Sequence, residues 1–235
     1  MRLNAVTSVH EYLSSIGPKY FSEDRGRWVF RGHTNKSWQL TPSGGRGGHT
    51  ARDCRTHESS LFTIFKREAG SYLTPPPADD WEWLSVAQHH GLPTRFLDWT
   101  HNPLVGLYFA VVADPKIDGE VFALHSVKKV SERVRETSPF DITRPSKYYP
   151  NIVSPRIRAQ EGLFIVCSDL ERPLNEPLRD GWKLERLAIP GAQKASLRYE
   201  LYRMGVHASA LFPDIGGLTE RLRWQHSVSA LSASL

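Results

Sequence analysis

The sequence predicts an α+β fold, a single domain over residues 1–226 in which a small mixed or antiparallel sheet is flanked by helices. Three observations lead there. Segments with apolar residues at helical spacing (Val9, Tyr12, Leu13 and Ile16; Leu61, Ile64 and Phe65) are interspersed with short runs of strand formers such as EVFALHSV (120–127) and GLFIVCS (162–168). No internal repeat is visible. The 235 residues are 40% hydrophobic and 11% aromatic, enough for one sizeable core, and the 23% charged fraction is far from the disordered class.

Each element has its own signal. A helix is expected over 7–16, with Ser8 and Glu11 at capping-box spacing and Gly17-Pro18 as its stop. RWVFRG (27–32) reads as a short strand running into a glycine turn. TPSGGRGGHTAR (41–52) is too glycine-rich to pack, which predicts a flexible loop over 42–52, able to order on a ligand. Leu61, Ile64, Phe65 and Glu68 share a helical repeat. After Pro75-Pro76-Pro77 a second helix should start at Asp79 or Asp80 and end at Gly91, with Trp81, Leu84, Gln88 and His89 roughly on one side. A short extended loop follows. Asn102-Pro103 then supplies an N-cap and a first-turn proline for a helix through LVGLYFAVVA. KLERLAIP alternates as a third strand beside the two runs named above. Helices are expected over 193–204, closed by Gly205, and from 218–224, and the small, polar tail 227–235 should fray.

Charge bounds the partners. A formal net charge of +5 and a pI near 9.3 favour an anionic ligand, yet Lys and Arg are dispersed, which suits a nucleotide or phosphate pocket at least as well as a nucleic-acid groove. Only Cys54 and Cys167 are present, excluding a disulfide framework and the paired Cys-x-x-Cys spacing of structural zinc; no metal is expected. The start has no apolar core of signal-peptide type, and no run of about 18 apolar residues occurs, so a cytoplasmic protein without a membrane partner is expected.

The chemistry concentrates in AQHHGLPTRFLDWTHNPLVGLYFA (87–110). Arg31, at the end of Trp28-Val29-Phe30 and before Gly32, presents a planar fork suited to phosphate, or else pairs with a surface carboxylate. His89 and His90 suggest a proton shuttle, but adjacent helical residues diverge by about 100°, so they do not form a metal pair and one at least is structural. In an extended segment Asp98 and Thr100 point one way and Trp99 the other. Asp98 could bind a ribose hydroxyl or pair with Arg95 or Arg31. Trp99 is a core aromatic or a stacking platform. Arg156, Arg158, Gln160 and Glu161 precede the GLFIV strand, with Arg158 and Gln160 on one face if that strand begins early. Asp214 in LFPDIGGL is expected to be a helix N-cap.

FRGH (30–33), the 87–110 segment, RIRAQEGLF (156–164) and GVHASALFPDIGGL (205–218) together resemble the FRG domain family, named for its Phe-Arg-Gly motif. A weaker resemblance is to ADP-ribosyltransferases. There a strand ending in Arg-Gly holds NAD, a later strand leads into a helix, and a third element supplies a glutamate for the nicotinamide ribose. Phe30-Arg31-Gly32 matches the first element, Asp98-Trp99-Thr100 with 102–110 the second, and Gln160-Glu161 the third. This likeness implies an ADP-ribosyltransferase-like fold and NAD as substrate. Arg31 would hold a phosphate or ribose, Gly32 the nicotinamide amide, Trp99 or Tyr108 a ring face, Thr100 a ribose hydroxyl, and Gln160 or Glu161 the reacting sugar. His33, Gln88, His89, Arg95, Asp98 and Arg158 complete the expected nucleotide-binding set, with Arg31, Gln160 and Glu161 as the catalytic one. A protein, a nucleic acid or water would accept the ADP-ribose, and in a bacterium the activity would suit a toxin or phage-defence effector. The alternatives are a non-catalytic nucleotide- or nucleic-acid-binding module and a metal-independent nuclease using His89 or His90 with Arg95. A carboxylate in the cleft facing Arg31 is what would separate enzyme from module.

Overall fold

The computed structural model describes residues 6–20, 28–46, 53–126, 130, 132–151 and 154–227, so positions 47–52 of the glycine-rich segment and 228–235 of the tail lie outside the described residues. Strands β1 (Trp28–His33), β2 (Phe96–Thr100), β3 (Gly119–His125), β4 (Ser146–Tyr148), β5 (Gly162–Val166) and β6 (Lys183–Ile189) form one antiparallel sheet in the order β4-β5-β2-β1-β3-β6. Around it lie α1 (Val9–Tyr20), α2 (Cys54–Ala69), α3 (Asp80–His89), α4 (Pro103–Val111), α5 (Glu132–Arg135), α6 (Pro155–Ala159), α7 (Lys194–Arg203), α8 (Ala208–Leu211) and α9 (Ile215–Gln225). The fold is α+β, as the alternation of patterns predicts.

Capping chemistry sets most helix starts. The side chains of Asp53, Asp79, Asn102, Ser154 and Asp214 each accept a backbone N–H in the first turn of α2, α3, α4, α6 and α9. Proline occupies the first turn of α4 and α6. At α1, Ser8 Oγ accepts from Glu11 N, while the Glu11 carboxylate reaches Thr7 N and Oγ1 at 2.9 and 2.6 Å. Gly17-Pro18 does not stop this helix, which continues to Tyr20. Gly91 and Gly205 take positive φ (86° and 82°) just after α3 and α7, the left-handed stop that only glycine adopts freely.

Two further expectations are corrected. The extended loop ahead of α4 is β2, a central strand, because Phe96, Leu97 and Trp99 bury on both faces. Residues 156–159 are helical in α6, so the strand carrying GLFIV does not begin early. The described part of the glycine-rich segment is also packed. Residues Ser43–Gly45 form a 3-10 turn, Gly44 N donates to Thr94 O at 2.9 Å, and a Cβ on Gly45 would lie 1.5 Å from Leu170 O. Here glycine permits close contact rather than looseness.

The sheet is covered differently on its two faces. One face carries a continuous core of Val29, Leu97, Trp99, Phe122, Leu124, Leu163 and Ile165, closed by Leu40, Leu174 and Trp182 from the loops. On the other face the packing is divided. Helices α1, α4 and α7 cover Phe30, Val121, Ala123, Leu187 and Ile189, whereas α2 and α3 cover Phe96, Phe164 and Val166. The division falls between β1 and β2, which pair only at Phe30↔Thr100, while β1 and β3 pair along six residues. Beyond that single pair the two central strands part.

Candidate functional site

Arg31 lies in the gap where β1 and β2 separate. Its Nη1 donates to Asp98 O at 2.6 Å, so the guanidinium occupies the place of a ladder partner for that carbonyl. The same nitrogen is 3.8 Å from Asp98 Oδ2; the Arg31 side chain is 15% exposed and that of Asp98 61%. Behind it, Arg31 Nε donates to His33 Nε2 at 3.1 Å, and His33 Nδ1 lies 3.2 Å from Trp38 O. With Nε2 accepting, Nδ1 carries the hydrogen and donates to Trp38 O. Burial first, and then the neighbouring Arg31 charge, push the His33 pKa down to about 3, so the ring stays neutral and continues to orient the guanidinium. On the other side Gln88 Nε2 donates to Asp98 Oδ2 at 2.9 Å, and Gln88 Oε1 accepts from Thr94 Oγ1 at 2.6 Å. A hydrogen-bonded chain thus runs from Trp38 through His33, Arg31, Asp98 and Gln88 to Thr94.

Gly32 is required by packing. A Cβ there would meet Gly106 O at 2.1 Å and Ala110 N at 2.5 Å, and one on Gly106 would meet Phe30 Cβ at 2.8 Å, so reciprocal glycines let α4 lie directly on β1. The Gly32 backbone is left as part of the cleft wall.

Two cavities meet at Arg31, Gly32 and Phe109. The larger, about 820 Å³, extends past Trp38, Arg46 and Glu171; the smaller, about 170 Å³, is bounded by Asp98, Thr100, Arg156 and Gln160. The larger falls in the size range of ordinary small-molecule sites, of roughly 300–1,000 Å³. Trp38 is 54% exposed there, a large ring face without a packing partner over most of its area. Thr100 Oγ1 is already engaged, donating to Gln160 O at 2.6 Å and accepting from Asn102 N at 2.9 Å, and Gln160 Nε2 donates to Leu211 O at 3.1 Å.

Several residues expected around the nucleotide are elsewhere. Arg95 is fully buried and paired with Glu58, not Asp98. Trp99 is 2% exposed within the continuous core, on the face away from Asp98, and reaches the cleft only as part of the wall of the smaller cavity; Tyr108 is equally buried among α1, α4 and α7 and lines neither cavity. Arg158 and Glu161 line a separate depression beside His101 and Tyr149. Glu161, at φ 47°, accepts from Asn102 Nδ2 at 3.1 Å, so of the Gln160-Glu161 pair it is the amide that borders the cleft. Asp214 accepts from Gly217 N at 2.8 Å as the N-cap of α9.

The family model of the FRG domain matches residues 26–118. An FRG domain is present. No curated protein and no solved structure matches the chain. The FRG match contains β1, α2, α3, β2 and α4, hence Arg31, Gly32, Gln88 and Asp98, and ends before β3. The sheet extends well beyond it, because β3 covers the whole length of β1 and β5 the whole of β2. Arg156 and Gln160, the far wall of the smaller cavity, also come from outside the FRG match.

Around the cleft, sequence reasoning overlooked Trp38, Arg46 and Glu171, and away from it the buried partner of Arg95, Glu58. Arg46 stands alone among the glycines of SGGRGG, a usable signal; Trp38 carries none, since its exposure depends on residues far along the chain. Among the described residues, no group of three or more His, Cys, Asp or Glu is placed to hold a metal ion, and no helix is long and apolar enough to cross a membrane.

Proposed function

We propose that the protein binds a phosphate-bearing nucleotide, NAD first among them, in the cleft beside Arg31, and breaks its nicotinamide–ribose bond as an ADP-ribosyltransferase-like enzyme. The observation that carries this reading is the opposition of the Arg31 guanidinium and an exposed Asp98 carboxylate where β1 and β2 part. Arg31, Arg46 and Arg156 border the two joined cavities and suit the oxygens of a diphosphate. Trp38 offers a face on which a base can stack. Asp98, steadied by Gln88, takes the part that the resemblance implies for Gln160 or Glu161: a carboxylate near the ribose stabilises the positive charge that develops as nicotinamide leaves. The acceptor is a protein, a nucleic acid or water. In a bacterial cell this chemistry suits a toxin or phage-defence effector.

A second reading, nucleotide binding without chemistry, is favoured by the neutral Gln160 on the cleft wall while Glu161 is turned to another surface. Incubation with NAD, following released nicotinamide by chromatography, separates the two. The enzyme reading expects release by the wild type, with cell lysate as a source of acceptors, that is abolished in Asp98→Asn and in Arg31→Ala. Saturable NAD binding without release under any condition would leave the binding module.

A further inference from the structure

Behind Asp98 the cleft opens into a chamber of about 80 Å³ that shares Asp98, Arg156 and Gln160 with the 170 Å³ cavity and adds Gln88 and His89. Of the two adjacent histidines only His89 borders it; His90 is the exposed C-cap residue of α3, its N–H donating to Val86 O at 3.1 Å. An imidazole, a guanidinium and a carboxylate therefore converge on a space sufficient for one or two water-sized groups, each of roughly 30 Å³. It shares no lining residue with the large cavity, where the nucleotide's phosphates and adenine would lie.

We propose that this chamber receives the hydroxyl nucleophile, water or an acceptor's hydroxyl, and that His89 is its general base; this rests on the NAD reading given above. The groups around the ring come from four elements: His90 from α3 itself, Asp98 from β2, Arg156 from α6 and Asp214 at the start of α9. Burial lowers the His89 pKa, Arg156 and His90 lower it further, and Asp98 and Asp214 oppose them. The ring is accordingly neutral at neutral pH and free to take a proton. In the reaction the ribose C1′–N bond breaks and its electron pair leaves with the nicotinamide nitrogen. The nucleophile's oxygen bonds to C1′, and its proton passes to His89 and on to solvent. Asp98 borders both spaces and so stabilises the sugar cation between leaving group and nucleophile.

The test compares wild type, His89→Asn and His89→Gln for NAD affinity by calorimetry and for nicotinamide release between about pH 5 and 8. The proposal expects affinity within about twofold of wild type, release slowed by roughly a hundredfold or more, and loss of the acidic limb of the pH profile, with added imidazole restoring part of the rate. Release at the wild-type rate with an unchanged pH profile in either variant overturns the proposal and leaves the NAD reading standing. Loss of NAD affinity in both variants, in step with loss of rate, also overturns it by making His89 a structural residue. Wild-type protein that neither binds nor cleaves NAD overturns the parent reading and this one with it.

Discussion

Two arginine–carboxylate pairs meet the chain three residues apart, at Arg95 just before β2 and at Asp98 within it, and are built in opposite ways. Arg95 and Glu58 are 0% and 1% exposed, with Nη2–Oε2 at 2.7 Å, Nε–Oε2 at 3.0 Å and Arg95 N–Glu58 Oε1 at 2.6 Å. The remaining Arg95 nitrogen donates to Phe140 O at 3.2 Å, and the guanidinium lies 4.9 Å from the Phe140 ring centroid. Arg31 and Asp98 are 3.8 Å apart, and the carboxylate is mostly in solvent. The first pair has its hydrogen-bonding capacity used inside the protein, joining α2 to the start of β2. The second keeps capacity unused and is held in place from behind by His33 and Gln88. One arrangement serves cohesion and the other leaves charges available to a ligand.

The comparison breaks most readily at the buried pair. Arg95→Met should cost about 3–5 kcal/mol in denaturant unfolding, because it leaves the Glu58 carboxylate buried without its partner. The double variant Arg95→Met with Glu58→Met should recover most of that loss, and a double variant as unstable as the single one would show that the pair is not the source of the cost. Arg31→Ala should be the converse, changing stability by less than about 1 kcal/mol while weakening nucleotide binding by about 1.5–3 kcal/mol, roughly ten- to a hundredfold. Equal stability losses in the two single variants would remove the distinction.

His33 sharpens the contrast through pH. Its folded pKa of about 3 lies below the 6.5 of an ordinary histidine. Between those values the unfolded chain carries a proton that the folded one excludes, so its contribution is complete above pH 6.5 and is lost as the pH falls towards 3. The slope from this group approaches about 1.4 kcal/mol per pH unit. Urea melts at neutral and mildly acidic pH should show this loss in the wild type and a smaller one in His33→Gln. Smallest of all, Asp214→Ala should cost about 1 kcal/mol by removing the α9 cap and leave NAD affinity unchanged by calorimetry.

Local chemistry was legible in the sequence where it acts over a few residues. Asn102-Pro103, Asp214 and the glycines at 91 and 205 state their helix ends directly, and runs of strand formers mark β3 and β5. Alternation also placed Asp98 and Trp99 on opposite faces correctly. What sequence could not supply was partnership across the chain. Arg95 looks as available as Arg31 until Glu58, 37 residues away, is known to be beneath it. Tyr108 looks like a cleft aromatic until α1 and α7 are seen to cover α4. Which of Gln160 and Glu161 borders the cleft is likewise not legible from the sequence, because it depends on the helical turn of α6 before Gly162, which directs the Glu161 side chain to the His101 and Tyr149 surface.

The central claim is that the gap between β1 and β2 is a nucleotide site organised by Arg31. Calorimetric titration of NAD into wild type and Arg31→Ala tests it most directly, with thermal melts of both to confirm equal folding. The account predicts saturable binding in the wild type that weakens at least about tenfold in a variant of near-equal stability. No binding to the wild type, or the same affinity in both proteins, would contradict it.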